Sequence, residues 1–548
     1  MHMPTILLRS FIKQSKRKVS CDWPKWQSRS QDVILMEINS MPASYDKNRT
    51  AAVPKPTEVV DDPYFGVLRD EPRTSLEDPE LDQLVENLLP RTRNEQLNLK
   101  QGRDYSEANA FANAAVYMPA LSSTYVDALP GLTLPRHFGF SADDLQFTNP
   151  HSTLCFYPWV LYSAGQAAKT QKLAVKRNWL TSGGHDPRVT LIGDSGGFQI
   201  QQGTIEFEGM PTVERMLRWL EDIATHSMVM DFPLATIASG GVDIHVQRLM
   251  REGVEMEKLS KALGFDTGFL ACLFQTVRNN RYYRMHRKTG ATKVLNIIQG
   301  RNERESKFWF DRMKQFHFEG WTFAGKHHSE LAMTCRRLIE MRDLGSLKPG
   351  QWLHFLGVST LRVGAGLSFL QRALRSHTDA SDIQLSFDSG SPVDTMKNGY
   401  HAVTGVDLDP KSWRFRDAKT QLAEQVGDMR SLSELHETQP RNRYFKRTLT
   451  TLGALLTIGD LSKRTLPGFT PPQTRKLQQV LLIHHNTQAY FEGFRHAYRT
   501  LDDRRILERP VEIRHLPALL TEVFTSETPM QFIQDAEREL NALALAKV

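Results

Sequence analysis

Six short apolar runs between residues 187 and 390 each stop on a glycine or a polar residue, and this repeated ending constrains the fold more than anything else in the chain. Val189 to Ile192 leads to Gly193-Asp194, Met228 to Met230 to Asp231, and Val294 to Ile298 to Gln299-Gly300. Trp321 to Ala324 leads to Gly325-Lys326, Leu353 to Leu356 to Gly357, and Ile383 to Phe387 to Asp388. Helical patterns lie between the runs, such as Glu303 to His317, with Phe308, Phe310, Met313 and Phe316 on one face. Strands alternating with helices predict a parallel α/β architecture. A doubly wound open sheet has the same rhythm. Polar groups at six separate strand ends favour a TIM-like (β/α)8 barrel, whose strand C-termini converge on one mouth.

Composition narrows the class of protein. The 548 residues are 40% hydrophobic and carry 69 Lys and Arg against 62 Asp and Glu, which excludes disordered, collagenous and disulfide-scaffold chains. No apolar run approaches the ~20 residues needed to cross a bilayer, so no membrane partner is expected. The charge of +7 is a mild bias towards a phosphate-rich partner. Cys21, Cys155, Cys272 and Cys335 are far apart, with no CxxC pair, which points to a reducing, cytoplasmic setting and against a cysteine zinc cluster. Residues 1–100 read as an N-terminal extension, partly disordered or wrapping. Its start is basic (Arg9, Lys13, Lys16, Arg17, Lys18), as in an organelle transit peptide or a simple poorly ordered extension. Residues 101–400 hold the expected barrel, and 401–548 a mostly helical region packed on it, for example Thr474 to Thr500.

Two strand ends carry the chemistry. Gly193-Asp194-Ser195-Gly196-Gly197-Phe198-Gln199 places a carboxylate before two glycines that let the backbone approach a ligand, and then an aromatic ring. The same residues also suit an ordinary strand-to-helix turn. Asp388, followed by Ser389-Gly390-Ser391-Pro392, suits a helix cap or an Asx-turn equally well when taken alone. Together, two carboxylates at one barrel mouth can act as nucleophile and acid/base in displacing a group from a sugar anomeric carbon.

The ordered set of motifs resembles the tRNA-guanine transglycosylases, which exchange a guanine in nucleic acid for a 7-deazaguanine. Besides Asp194 to Gln199, the matching residues are Gln202-Gly203-Thr204 to Gly209, Met230-Asp231 and Ile297 to Gly300. Ala324 to Glu330, Phe355 to Val358, and Phe387-Asp388 with Pro392 and Asn398-Gly399 continue the series, and Leu482 to Asn486 adds a weaker match. The resemblance implies that Asp388 attacks C1' and that Asp194 protonates the leaving base and deprotonates the incoming one. It further implies that Phe198, with the Ser195-Gly196-Gly197 turn, holds the base, that Asp231, Gln299 and Gly300 bind its edge, and that Gly325 and Lys326 read the substituent. No cofactor is implied.

Departures from the family pattern are informative. His485 stands where the family has a zinc-ligating histidine, but no cysteine follows Cys335, so no metal site is expected and His485 reads as a core or capping residue. Pro392-Val393-Asp394 replaces the usual Pro-Thr-Arg, and Ala324-Gly325-Lys326 the usual Gly-Gly-Leu. With the long N-terminal extension and Gln275 to Arg278, these steer the resemblance to the DNA-modifying 7-deazaguanine branch, which places 7-cyano-7-deazaguanine or a relative in DNA. A tRNA enzyme and a non-catalytic nucleic-acid-binding subunit are the alternatives, and a helper ATPase is a conceivable partner. Arg278, Arg281, Tyr282, Tyr283, Arg284, Arg287 and Lys288 form a basic, aromatic-interleaved run suited to phosphates and unpaired bases, as do Arg441 to Arg447 and Lys397. Such runs also occur as solvated helix faces.

Overall fold

The computed structural model describes residues 102–106, 109–183, 185–234, 254–435, 443–502 and 509–545. The expected extension 1–100, Cys21 and Arg441 lie outside the described residues.

Eight parallel strands form one sheet: β1 (Val116–Pro119), β2 (Trp159–Ser163), β3 (Thr190–Asp194), β4 (His226–Met228), β5 (Lys293–Ile298), β6 (Gly320–Phe323), β7 (Trp352–Phe355) and β8 (Gln384–Ser389). They pair in chain order from β2 to β8, and β8 pairs with β1. A bridge between Ala120 and Leu161, with the Leu121 N–H on Leu161 O at 3.0 Å, nearly closes the ring between β1 and β2. An open doubly wound sheet has two free edges; here they meet, and the architecture is a TIM-like barrel. The six expected strands are all present, within a few residues of their predicted limits. β1 and β2, which have no Gly or Asp at their ends to mark them, are the two that the sequence pattern did not single out.

Alternation along the strands divides the barrel wall into two faces. Val116, Met118, Leu161, Ile192 and Met228 form a small buried cluster, joined by Trp159, Trp352 and Leu356, separate from the large core beneath the helices. Registered neighbours in a parallel sheet share a face, so Ser386 and Asp388, paired with Val116 and Met118, point inward as well. The outward residues pack under helices. Among these, Glu303–Met313 starts on an Asn302 cap that accepts the Glu305 N–H at 3.0 Å.

After the barrel, β9 (His401–Asp409), β10 (Ser412–Lys419) and β11 (Phe445–Arg447) form a three-stranded antiparallel sheet, where a mostly helical region was expected. The inward Val403, Val406, Leu408 and Trp413 and the Asp409-Pro410-Lys411 turn make it a hairpin. Helices take over at Pro471–Asp502, the longest in the described chain. Phe491 of this helix stacks on Tyr157 with ring centroids 3.6 Å apart, and Phe494 stacks on Tyr117 of β1 at 4.9 Å. No helix among the described residues is long and apolar enough to cross a membrane.

Candidate active site

Asp194 is the last residue of β3, and the turn after it explains its two glycines. Gly196 has φ +85°, and a Cβ there would lie 2.7 Å from Gly165 Cα. At Gly197 a Cβ would lie 1.9 Å from the Asp231 carbonyl oxygen. Only glycines let the β3 turn lie flat against the ends of β2 and β4. That contact brings Asp194 beside Asp231 and starts the short helix Gly197–Gln201, on which Phe198 stands 51% exposed with its ring open to solvent. Ser195 is fully buried, and its hydroxyl has no hydrogen-bond partner among the described residues.

Burial raises the Asp194 pKa above the usual carboxylate range; the Ser163 hydroxyl, donating to Oδ2 at 2.5 Å, works against this, the charge of Asp388 adds to it, and the Gly196 and Ser195 N–H groups oppose it. Ser163 caps its own helix, accepting from Gly165 N at 3.1 Å, so the hydroxyl is held in place. Asp231 is more strongly shifted, pushed up to about 8 by burial and then by Asp194. It is therefore mainly protonated at neutral pH. The Gln299 side-chain amide donates to Asp231 Oδ2 and, at 3.3 Å, to Phe232 O, while its Oε1 accepts from Leu234 N at 3.0 Å. Gln299, expected to bind a base edge, also holds Asp231 and the chain after it.

Asp388 lies on β8, 9% exposed. Its Oδ1 accepts from Gly357 N at 3.1 Å and faces His354 Nε2 at 3.2 Å, while its backbone oxygen accepts from Val358 N at 2.8 Å. Oδ2 has no hydrogen-bond partner among the described residues. The segment after it is tied down from the long C-terminal helix: Asn486 accepts from Val403 N at 2.8 Å and donates to His401 O at 3.0 Å and Pro392 O at 3.3 Å. Beside it, His485 lies between Thr450 Oγ1, at 2.8 Å from Nδ1, and Val403 O, at 2.9 Å from Nε2. Both ring nitrogens have protein partners, as in a core histidine. No group of three or more His, Cys, Asp or Glu suited to a metal occurs among the described residues.

Gly300 and Gly325, at the ends of β5 and β6, meet backbone to backbone. Gly325 has φ +67°, and a Cβ on it would lie 2.9 Å from Gly300 O. That oxygen also accepts from Lys326 N at 3.2 Å, and Lys326 O accepts from Ser329 N and Glu330 N. The Lys326 backbone is thus occupied, and its exposed side chain is the part that faces solvent. His328, in the same turn, has a buried Nδ1 without a partner among the described residues. Its pKa is lowered by burial and then Lys326, with Asp388 pulling the other way.

The basic run lies on one helix. Helix Thr267–His286 begins at the mouth, where Asp266 pairs with Arg301, the residue after Gly300. It ends at the opposite rim, where Arg287 reaches Glu319 at 2.6 Å just before β6. Its middle packs against the segment after β4: Thr276 Oγ1 accepts from Phe232 N at 3.3 Å and Asn279 donates to Met230 O at 2.9 Å, so Arg278 and Arg281 stand on the helix that seats the Asp231 segment. Tyr282 is stacked on His286, with centroids 4.2 Å apart, and Arg284 lies over Phe316. Lys397 is exposed at the end of helix Ser391–Lys397, which follows Asp388 directly. Residues that the sequence reading did not single out are Ser163, His354 and Ser386. The signal available for the last two was strand alternation: His354 with Trp352, and Ser386 with Asp388, are inward pairs.

Neither the protein-family models nor the curated proteins compared with the chain give a match.

Proposed function

We propose that the protein is a nucleic-acid guanine transglycosylase that acts on DNA in the cytoplasm and exchanges a guanine for a 7-deazaguanine base. The observation that carries this reading is the pair of carboxylates at one mouth. Asp194 holds its proton more tightly than an ordinary carboxylate because of burial and then of Asp388, whose own Oδ2 has no hydrogen-bond partner among the described residues. Such a pair suits a covalent exchange at C1'. An Asp388 Oδ2 lone pair forms the bond to C1' as the bond from C1' to the base nitrogen breaks, its electrons leave with the base, and that nitrogen takes the Asp194 proton. In the second half, the incoming base gives a proton to Asp194 and attacks C1', and the ester electron pair returns to Asp388. Protonated Asp231 can donate to an acceptor on the base edge, and the exposed Phe198 can stack on its face. Exposed Lys326 and Lys397 can meet phosphates or a base substituent, as can the basic helix that carries Arg278, Arg281 and Arg284. A base in a duplex has to be flipped out to reach this mouth, which leaves room for a helper ATPase.

The test supplies the full chain with duplex DNA, single-stranded DNA or tRNA together with 7-cyano-7-deazaguanine, and measures modified nucleosides by mass spectrometry. Modified deoxynucleoside that vanishes in Asp388→Ala is the expected result. Modified ribonucleoside instead assigns the activity to tRNA, and product that persists in Asp388→Ala rejects the covalent mechanism.

A further inference from the structure

Beneath Asp388 lies a column of polar side chains inside the barrel, on the same inward face as Thr322 and His226. His354 and Ser386 are fully buried. Trp352 Nε1 donates to Ser386 Oγ at 2.5 Å, Ser386 Oγ lies 2.8 Å from His354 Nδ1, and His354 Nε2 lies 3.2 Å from Asp388 Oδ1. Trp352 also lies against His226, with ring centroids 4.7 Å apart. An indole nitrogen can only donate, so Ser386 Oγ must accept from it and has its own hydrogen to give. If that hydrogen goes to Nδ1, the neutral ring carries its proton on Nε2 and donates to Asp388 Oδ1. Every donor and acceptor in the column is then used once, which a buried network requires.

We infer that His354 is a positioning residue, held by Trp352 and Ser386 in the tautomer that donates to Asp388 and leaves Oδ2 as the attacking atom. This rests on the reading of Asp388 as the nucleophile. The column acts with the Gly357 N–H: two donors on Oδ1 stop the carboxylate from rotating and aim Oδ2 out of the barrel towards the mouth. Once Oδ2 is bonded to C1', Oδ1 becomes an ester carbonyl oxygen and carries less charge. When the ester breaks, negative charge returns to the carboxylate, where both donors are already in place, so the second half of the exchange gains most from them. The hydrogen bonds are made to the enzyme and not to the substrate, so their loss is felt in turnover more than in binding.

The test compares wild type, His354→Phe, His354→Gln, Ser386→Ala and Asp388→Ala on whichever nucleic acid supports exchange of isotope-labelled guanine, with thermal melting of each. A misplaced nucleophile costs on the order of 100-fold. His354→Phe is expected to lose about that in kcat with KM nearly unchanged, and to accumulate trapped covalent adduct in the acceptor-limited second half. His354→Gln, which keeps a donor to Oδ1 and an acceptor for Ser386, is expected to recover most of the rate, and Ser386→Ala to fall between. In ¹⁵N-histidine spectra of wild type, the signal that disappears in His354→Gln should report a proton on Nε2. A kcat of His354→Phe within about twofold of wild type, or a proton on Nδ1, overturns the inference; the tautomer reading decides it should His354→Phe fail to fold. Exchange that survives Asp388→Ala, or none by wild type, rejects the functional reading instead, and the tautomer still tests the column.

Discussion

Burial and the charge of Asp388 raise the proton affinity of Asp194, whereas the Ser163 hydroxyl and two backbone N–H groups lower it, so single contacts decide where this residue titrates. Ser163→Ala removes a donor that favours the charged form. The Asp194 pKa should therefore rise further, and the acid form needed to release the base should survive to higher pH. The expected outcome is an upward move of the alkaline limb of the pH–rate profile for base release; a limb that stays put or moves down would contradict this role for Ser163. Asp194→Asn, which cannot deliver a proton, should lose roughly 10²–10⁴ in the rate of exchange, measured with labelled guanine. The two aspartates were legible as candidates from their strand-end positions. The Ser163 contact was not, because Ser163 and Asp194 become neighbours only when β2 and β3 pair in register.

Glycines and one asparagine decide how the elements meet around the site. Gly197→Ala would drive a methyl group into the Asp231 carbonyl oxygen, and with backbone on the other side there is no flexible side chain to yield. Such a clash typically costs about 1–3 kcal/mol. Lower thermal stability together with a displaced Asp231 should follow, the displacement read as loss of the residue's elevated titration. Asn486→Ala leaves Val403 N and the carbonyls of His401 and Pro392 without their partner in a buried setting. Chemical denaturation should show a loss of about 2–3 kcal/mol. The Leu482 to Asn486 motif was readable in the sequence as a helix feature. That its asparagine ties β9 to the segment after Asp388 could not be read from it, since those residues are about 90 positions apart in the chain.

Across the whole molecule, five buried histidines share one property. Burial pushes His226 and His327 down to about 3, and His484, His485 and His496 to about 4. Each is neutral in the fold but takes up a proton near pH 6.5 once unfolded, so each contributes stability that is lost as the pH falls from about 6.5 towards its folded value. Asp231 acts in the opposite sense, because its folded pKa of about 8 means that its contribution grows as the pH falls. Five groups outweigh one, and with Asp231 subtracted the slope between pH 6.5 and 5.5 is on the order of 3–4 kcal/mol per pH unit against the fold. Melting followed by circular dichroism should show the transition moving down by several degrees from pH 7 to pH 5.5. A midpoint that is flat or rises would show that these side chains are not buried neutral.

The chain by itself determined the alternation of strands and helices, the glycine or polar residue at each of six strand ends, and hence the side of the sheet on which chemistry belongs, because these depend on period and on local turn geometry. Closure of the ring between β1 and β2, the hairpin sheet after the barrel and the column under Asp388 were decided only by the tertiary structure, since each depends on strand register or on contacts between distant segments. The same cause underlies the basic helix: the spacing of Arg278, Arg281 and Arg284 is written in the sequence, but the seating of Thr276 and Asn279 of the same helix on Phe232 and Met230, either side of Asp231, is not. Charge spacing is local. Where a helix starts and ends relative to a site is set by how the barrel closes around it.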